Sequence, residues 1–181
     1  MPETVLLQAE EKMNKVLHHL EEELSTIRTG RANPTVLSKV MVEYYGAPTP
    51  LNQVANVTVP EARMLLVSPY DRSIVGAIDK AIQDANLGFN PTNDGSVIRI
   101  AIPALTEERR KEMVKKVKAM AETAKVGVRN ARRDANDALK KLDITEDEVK
   151  SYQDDVQKLT DVYVKKADDI AKAKETDVMT V

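Results

Sequence analysis

Residues 109–133 read RRKEMVKKVKAMAETAKVGVRNARR, and the interleaving of charged and apolar side chains in this stretch decides how the chain folds. Lys111, Lys115, Lys118, Lys125, Arg129 and Arg132 follow one another at steps of three, four or seven residues, with Glu122 in the one gap. That spacing stacks side chains along one face of an α-helix. Met113, Val117, Met120, Ala124, Val128 and Ala131 repeat in the same way on the roughly opposite face. One face is built to pack and the other to stay wet. The stretch holds ten Lys or Arg against two Glu, a local charge of +8, whereas the whole chain is −2, so the remainder sums to −10. An ordinary solvated face mixes its signs, because like charges one turn apart repel and opposite ones attract by about 0.2–0.5 kcal/mol per pair. A one-sign face held over about six turns therefore points to a polyanion such as a phosphate backbone, with a merely solvated face as the competing reading.

The apolar stripe continues through Ala135, Ala138 and Leu142, and the helix is expected to begin near Thr106, just after Pro103, with Glu107 and Glu108 at the positive end of its dipole. Its length is then about 35 residues. Gly127 lies at the edge of the packing face and costs about 1 kcal/mol relative to Ala in a helix; close approach of another helix is its expected use. Residues 4–29 predict a first helix, burying Val5, Ala9, Met13, Val16, Leu20, Leu24 and Ile27, with Arg28 in the last turn and Gly30 at the C-cap. Thr145 and Glu148 have the spacing of a capping box. They open a third helix marked by Val149, Tyr152, Val156, Leu159, Tyr163, Ala167 and Ile170, whose tail after Lys174 is expected to fray.

Between the first two helices the texture changes. From 31 to 104 Pro and Gly become frequent, and β-rich runs occur at 40–45, 54–59, 63–67 and 97–102, with a short helix expected over 72–85 burying Ile74, Ile78, Ala81 and Ile82. No one of the long helices can bury its apolar face alone. The expected architecture is α+β: a three-helix bundle of residues 1–30 and 105–181, with a small β/α/β domain of residues 31–104 inserted into it. The crossings, at about 30–34 and 102–106, form the expected hinge, carried by Gly30, Arg31, Pro34, Pro103 and Ala104. A helix of about 35 residues spans about 52 Å, against a diameter of about 40 Å for a compact chain of this length, so an elongated molecule is expected.

Chemistry for catalysis is missing from the pattern. With no Cys, no disulfide, thiolate nucleophile or Cys-based metal site is possible. No Gly-rich phosphate loop occurs, so no nucleotide cofactor is expected. His18 and His19 are adjacent on a helix and point about 100° apart, which suits neither shared metal ligation nor a base with its orienting partner. Asp154 and Asp155 read as solvated for the same reason. Tyr44 and Tyr45, ending a strand before Gly46, read as packing groups, with stacking on bases as the alternative. The start of the chain lacks a secretory or transit pattern and no apolar run approaches the ~18 residues that span a bilayer. A soluble, cytoplasmic, non-enzymatic monomer without metal or cofactor is expected.

Several stretches together resemble the ribosome recycling factor family: Ile27-Arg28-Thr29-Gly30-Arg31-Ala32, Val42-Glu43-Tyr44-Tyr45-Gly46 followed by Pro48-Thr49-Pro50-Leu51, Leu105-Thr106-Glu107-Glu108-Arg109-Arg110-Lys111, Val128-Arg129-Asn130-Ala131-Arg132-Arg133-Asp134-Ala135-Asn136-Asp137, and Asp154-Asp155-Val156-Gln157-Lys158-Leu159-Thr160. The resemblance implies an L-shaped protein, a three-helix bundle bearing a β/α/β domain on two linker strands. It implies binding to the 70S post-termination ribosome along large-subunit ribosomal RNA. Elongation factor G would then hydrolyse GTP and drive subunit dissociation with release of mRNA and deacylated tRNA. Family RNA contacts carry over onto Arg129, Arg132, Arg133 and Arg110, to which the stripe adds Lys111, Lys115, Lys118 and Lys125. Arg28 and Arg31 are either accessory contacts or hinge residues. Neither DNA nor membrane is an expected partner. The reading from another class is a helical chaperone or scaffold that binds through an apolar groove, insensitive to salt.

Overall fold

The computed structural model describes residues 1–180. In chain order the elements are α1 (Pro2–Ser25), β1 (Met41–Tyr44), β2 (Ala47–Pro50), the single turn α2 (Leu51–Val54), β3 (Ala55–Glu61), β4 (Met64–Pro69), α3 (Val75–Asp84), β5 (Pro91–Asn93), β6 (Ile98–Ala101), α4 (Glu107–Lys140) and α5 (Glu146–Met179). They divide into a helical unit, residues 1–29 with the segment from Glu107 onward, and a mixed unit, Gly30–Thr106.

In the helical unit, α1 buries Ala9, Met13, Leu17, Leu20 and Leu24 at the spacing of one helical face. Across from them lie Val117, Ala121, Ala124, Val128 and Ala131 of α4, and Tyr163, Ala167, Ala171 and Val178 of α5. Alanine recurs on α4 and α5 because the helix axes come close. Gly127 is one place of close approach, since a Cβ built there would sit 3.1 and 3.2 Å from the two methyls of Val16. The Tyr163 hydroxyl, at the rim of this core, donates to Asn14 Oδ1 at 2.7 Å. At the other end Ala9, Ala135, Leu139 and Val156 form a smaller cluster. The Thr145 hydroxyl accepts the Glu148 N–H at 3.1 Å, which starts α5 as the capping spacing requires.

Two helix ends differ from expectation. The first helix stops at Ser25 rather than near Thr29, because the Ser25 and Thr26 hydroxyls donate to the Glu22 and Glu23 carbonyls, at 2.5 and 2.6 Å, and close the last turn locally. Gly30 is therefore no C-cap. It sits at φ +79 within the mixed unit, where a Cβ would come 3.5 Å from the Leu105 side chain. The last helix, expected to fray after Lys174, runs on to Met179 because Val178 is fully buried.

The mixed unit is a four-stranded antiparallel sheet in the order β3-β4-β6-β5, with β1 and β2 as a separate hairpin. Ile98 and Ile100 of β6 are buried while Arg99 and Ala101 face outward, the alternation a half-covered strand requires. Ile78 and Ile82 of α3 meet them in a core that also takes Leu37, Val40, Val42, Leu51, Val54, Leu65 and Val67. The β1–β2 connection is a two-residue turn, Tyr45 at φ +50 and Gly46 at φ +77. Two positive φ values mark the type I′ geometry that matches strand twist. For Tyr45, which has a Cβ, the left-handed conformation costs about 1–2 kcal/mol.

The contact at Gly127 generates a test. Gly127→Leu should destabilise the helical unit by about 1–3 kcal/mol through overpacking, measured by urea unfolding. Gly127→Ala should stay close to neutral, because about 1 kcal/mol of helix propensity offsets the crowding against Val16. Adding Val16→Ala to Gly127→Ala should remove the crowding component.

Candidate nucleic-acid interface

The outward face of α4 carries Lys111, Lys115, Lys118, Arg129 and Arg133, all exposed. Of these, Lys111 has a partner carboxylate, Glu107 at 3.6 Å in an exposed pair, which solvent screens strongly. Lys115, Lys118, Arg129 and Arg133 make no ion pair among the described residues, so their charge is available to a ligand. Lys140 in the last turn of α4 is also exposed and extends this row. It stands seven residues beyond Arg133, a repeat that sequence reading missed because the dense run of cations ends at Arg133.

The other expected contacts are engaged within the protein. Arg132 is partly buried and donates from Nη1 to Gln157 Oε1 of α5 at 3.2 Å, while the Gln157 amide donates to Asp161 Oδ1 at 2.9 Å. That chain holds the guanidinium at the α4–α5 seam and leaves most of its five N–H donors for a ligand. Lys125 is engaged more tightly still. Its side chain is 15% exposed and its Nζ lies 2.8 Å from both Glu122 and Asp168. The hydrogen bonds to Asp168 and then Glu122 raise its pKa, against the opposing effect of burial. Lys125 is thus a tie between helices, its charge already balanced by two carboxylates.

Arg110 departs furthest from expectation. It is 9% exposed, and its Nη1 donates to the Val178 carbonyl at 2.6 Å and the Thr180 carbonyl at 2.9 Å. The last carbonyls of a helix have no partner within it and carry the negative end of its dipole. A guanidinium there satisfies two of them at once. Arg110 holds down the end of α5, which is also why that end does not fray.

The remaining sequence candidates fall as follows. His18 and His19 face solvent and pair with Glu22 and Glu23 at 3.0 and 2.6 Å, four residues on. Among the described residues no group of three or more His, Asp or Glu side chains is arranged to hold a metal ion. Asp154 and Asp155 are exposed. Tyr44 packs against the core of the mixed unit, but Tyr45 does not: its ring is 85% exposed. Of the expected hinge residues, Pro34 belongs to a 3₁₀ turn, Pro34–Leu37, capped by the Asn33 side chain. Pro103 and Ala104 lie in the exposed stretch between β6 and α4. The stretches beside Gly30 and Pro103 are tied to the β3–β4 turn, Ala32 donating to the Ala62 carbonyl and Ile102 to the Arg63 carbonyl, each at 2.8 Å. No helix among the described residues is long and apolar enough to cross a membrane.

A family model for ribosome recycling factor matches residues 20–179. The chain belongs to the ribosome recycling factor family. It is 60% identical to the ribosome-recycling factor of Bacillus subtilis (strain 168), and equally to that of Bacillus pumilus (strain SAFR-032), over the full length of both chains in each case. Among solved structures it is similar to a solution structure of the ribosome recycling factor, with a TM-score of 0.81 at 39% identity, covering 99% of this chain and 98% of the other. It is also similar to the T. thermophilus ribosome recycling factor in models of that protein and E. coli elongation factor G bound to the E. coli post-termination complex. There the TM-score is 0.64 at 45% identity, covering 99% of this chain and all of the other. The long helical hairpin and small β domain are thus the fold of ribosome recycling factors.

Replacing Arg110 tests its reassignment from ligand contact to helix clamp. Arg110→Met keeps the apolar stem and leaves the Val178 and Thr180 carbonyls without their donor, so the unit should lose about 1–3 kcal/mol. Amide exchange over residues 170–180 should quicken first.

Proposed function

We propose that this chain acts as a ribosome recycling factor: it binds the post-termination ribosome by laying the outward face of α4 along large-subunit ribosomal RNA, and with elongation factor G promotes subunit dissociation and release of mRNA and deacylated tRNA. The observation that carries the proposal is the row of exposed cations Lys111, Lys115, Lys118, Arg129, Arg133 and Lys140, with Arg132 aimed from the seam by Gln157. A one-sign row on a rigid helix suits a phosphate backbone, which is long, regular and uniformly charged. Membership in the family and the neighbour bound with elongation factor G support the same reading. In it the chain performs no bond chemistry, and GTP is hydrolysed by the partner. The apolar stripes of α1, α4 and α5 face one another, which weighs against a chaperone or scaffold that binds through an apolar groove.

Arg129→Glu combined with Arg133→Glu should abolish large-subunit binding while shifting stability by no more than about 0.5 kcal/mol, as expected of surface positions. If about five phosphates are engaged, log K for the natural chain should fall with log salt at a slope of roughly −3 to −5. A flat salt dependence would favour the scaffold.

The mixed unit is proposed as the lever on which elongation factor G acts, with the two crossings as its hinge. Residues 31–102 hold six basic and six acidic side chains, so no net charge attracts RNA there. A chain in which residues 31–104 are replaced by a short linker keeps the three apolar stripes and the cation row. It should therefore occupy the large subunit and fail to split ribosomes with elongation factor G and GTP. Full splitting by this shortened chain would falsify the lever role.

A further inference from the structure

The tip of the β1–β2 hairpin spends conformational strain on an exposed ring. Tyr45 occupies the first central position of a turn that demands positive φ, where Asn, Asp or Gly would be unstrained. Its ring makes an edge-on contact with Tyr44, centroids 4.4 Å apart, and is otherwise 85% exposed. The turn disfavours a tyrosine here and the core does not take it up; beyond the edge contact with Tyr44 the strain has no structural return, which is a mark of a working position. The surroundings are apolar and anionic. Met41 and Glu43, the outward residues of β1, lead up to the ring, with Pro48 exposed opposite Glu43. Asp71 lies near enough to help hold the Tyr44 hydroxyl pKa up, behind burial and the neighbouring Tyr45. Glu43 on the outward side of β1 and Asp71 near Tyr44 repel phosphate, so a base-stacking role in RNA is disfavoured. A protein pocket with a cationic rim is the complement, and tyrosine is a common anchor in such pockets because it buries a large rigid area with few rotatable bonds.

We propose that Tyr45 is the anchor by which the mixed unit engages elongation factor G, its ring entering an apolar pocket of that protein whose basic rim faces Glu43. This rests on the recycling function proposed above and names the point on the lever where the push is received. The turn sets the direction in which the side chain leaves the backbone, and the edge contact with Tyr44 steadies the ring.

The test uses a substitution that improves the fold while removing the ring. Tyr45→Asn, and Tyr45→Gly as a second ring-less variant, relieve the positive φ and should melt at or above the temperature of the natural chain. Both should bind large subunits as it does in the absence of elongation factor G. In a subunit-splitting assay titrated with elongation factor G and GTP, each should need about tenfold or more of the factor for half-maximal rate. Tyr45→Phe, which keeps the ring, should behave as the natural chain, and Glu43→Lys should also raise the requirement. Unchanged dependence on elongation factor G in the ring-less variants would overturn the proposal. So would a loss already present in ribosome binding without the factor, which would place the ring on RNA or a ribosomal protein. Failure of Tyr45→Phe alongside Tyr45→Asn would overturn the apolar pocket. A natural chain unable to split ribosomes at any concentration of the factor would instead overturn the recycling function itself, before any variant is compared.

Discussion

The helical unit depends on the mutual burial of three apolar stripes, none of which can leave water without the other two. The bulk comes unequally. Met13, Leu17, Leu20 and Leu24 of α1 are large, whereas α4 answers mostly with Ala121, Ala124, Ala131 and two valines. Burying a leucine-sized side chain contributes about 1.5–3 kcal/mol, so α1 carries much of the driving force and α4 supplies the shallow surface on which it lies. Small residues let α4 come close, as Gly127 does against Val16. A helix that turns only a narrow, shallow strip inward keeps a broad face outward. The rotational setting of α4, and hence the direction in which its cations point, follows from that packing.

Charge is then sorted by position around α4. Cations beside the α4–α5 seam are answered by α5, Lys125 by Asp168 and Arg132 by Gln157. Lys115, Lys118, Arg129 and Arg133, further round, have no such neighbour among the described residues and keep their charge for a ligand. The like-charge repulsion they accept, about 0.2–0.5 kcal/mol per adjacent pair, is small beside the core burial that holds the helix. A ligand bearing phosphates would relieve it. The acidic first turn of α5, Glu146, Asp147 and Glu148, and the glutamates of α1 leave the rest of the unit with the opposite sign. One face of one helix is thereby distinguished from its surroundings.

The mixed unit follows a different rule. Its sheet and α3 close a core of their own around Leu65, Val67, Ile78, Ile82, Ile98 and Ile100. The alternation of Ile98, Arg99, Ile100 and Ala101 made β6 readable before any coordinates, as did the β-branched run of β3 and the apolar run of β4. Neither β2 nor β5 was readable. Ala47–Pro50 and Pro91–Asn93 contain proline and no apolar alternation, and they are strands only because β1 and β6 offer them an antiparallel partner.

What the sequence determined by itself was whatever is written in periodicity: three long helices, the insertion between the first two, the packing stripes and the basic face, because a helix converts spacing into direction with no reference to the rest of the chain. The motifs from Ile27 to Thr160 carried the family as well. Tertiary structure alone decided which charges are free. Arg110 and Lys125 share the residue types, and roughly the spacing, of the exposed cations, yet one caps the end of α5, some 70 residues on, and the other lies between two carboxylates. Val178 likewise looked like part of a fraying tail until the facing helices were in place to bury it. In each case a deciding partner, Asp168 in that of Lys125, is distant in the chain, and no local pattern encodes which side chain will be standing opposite once the helices have packed.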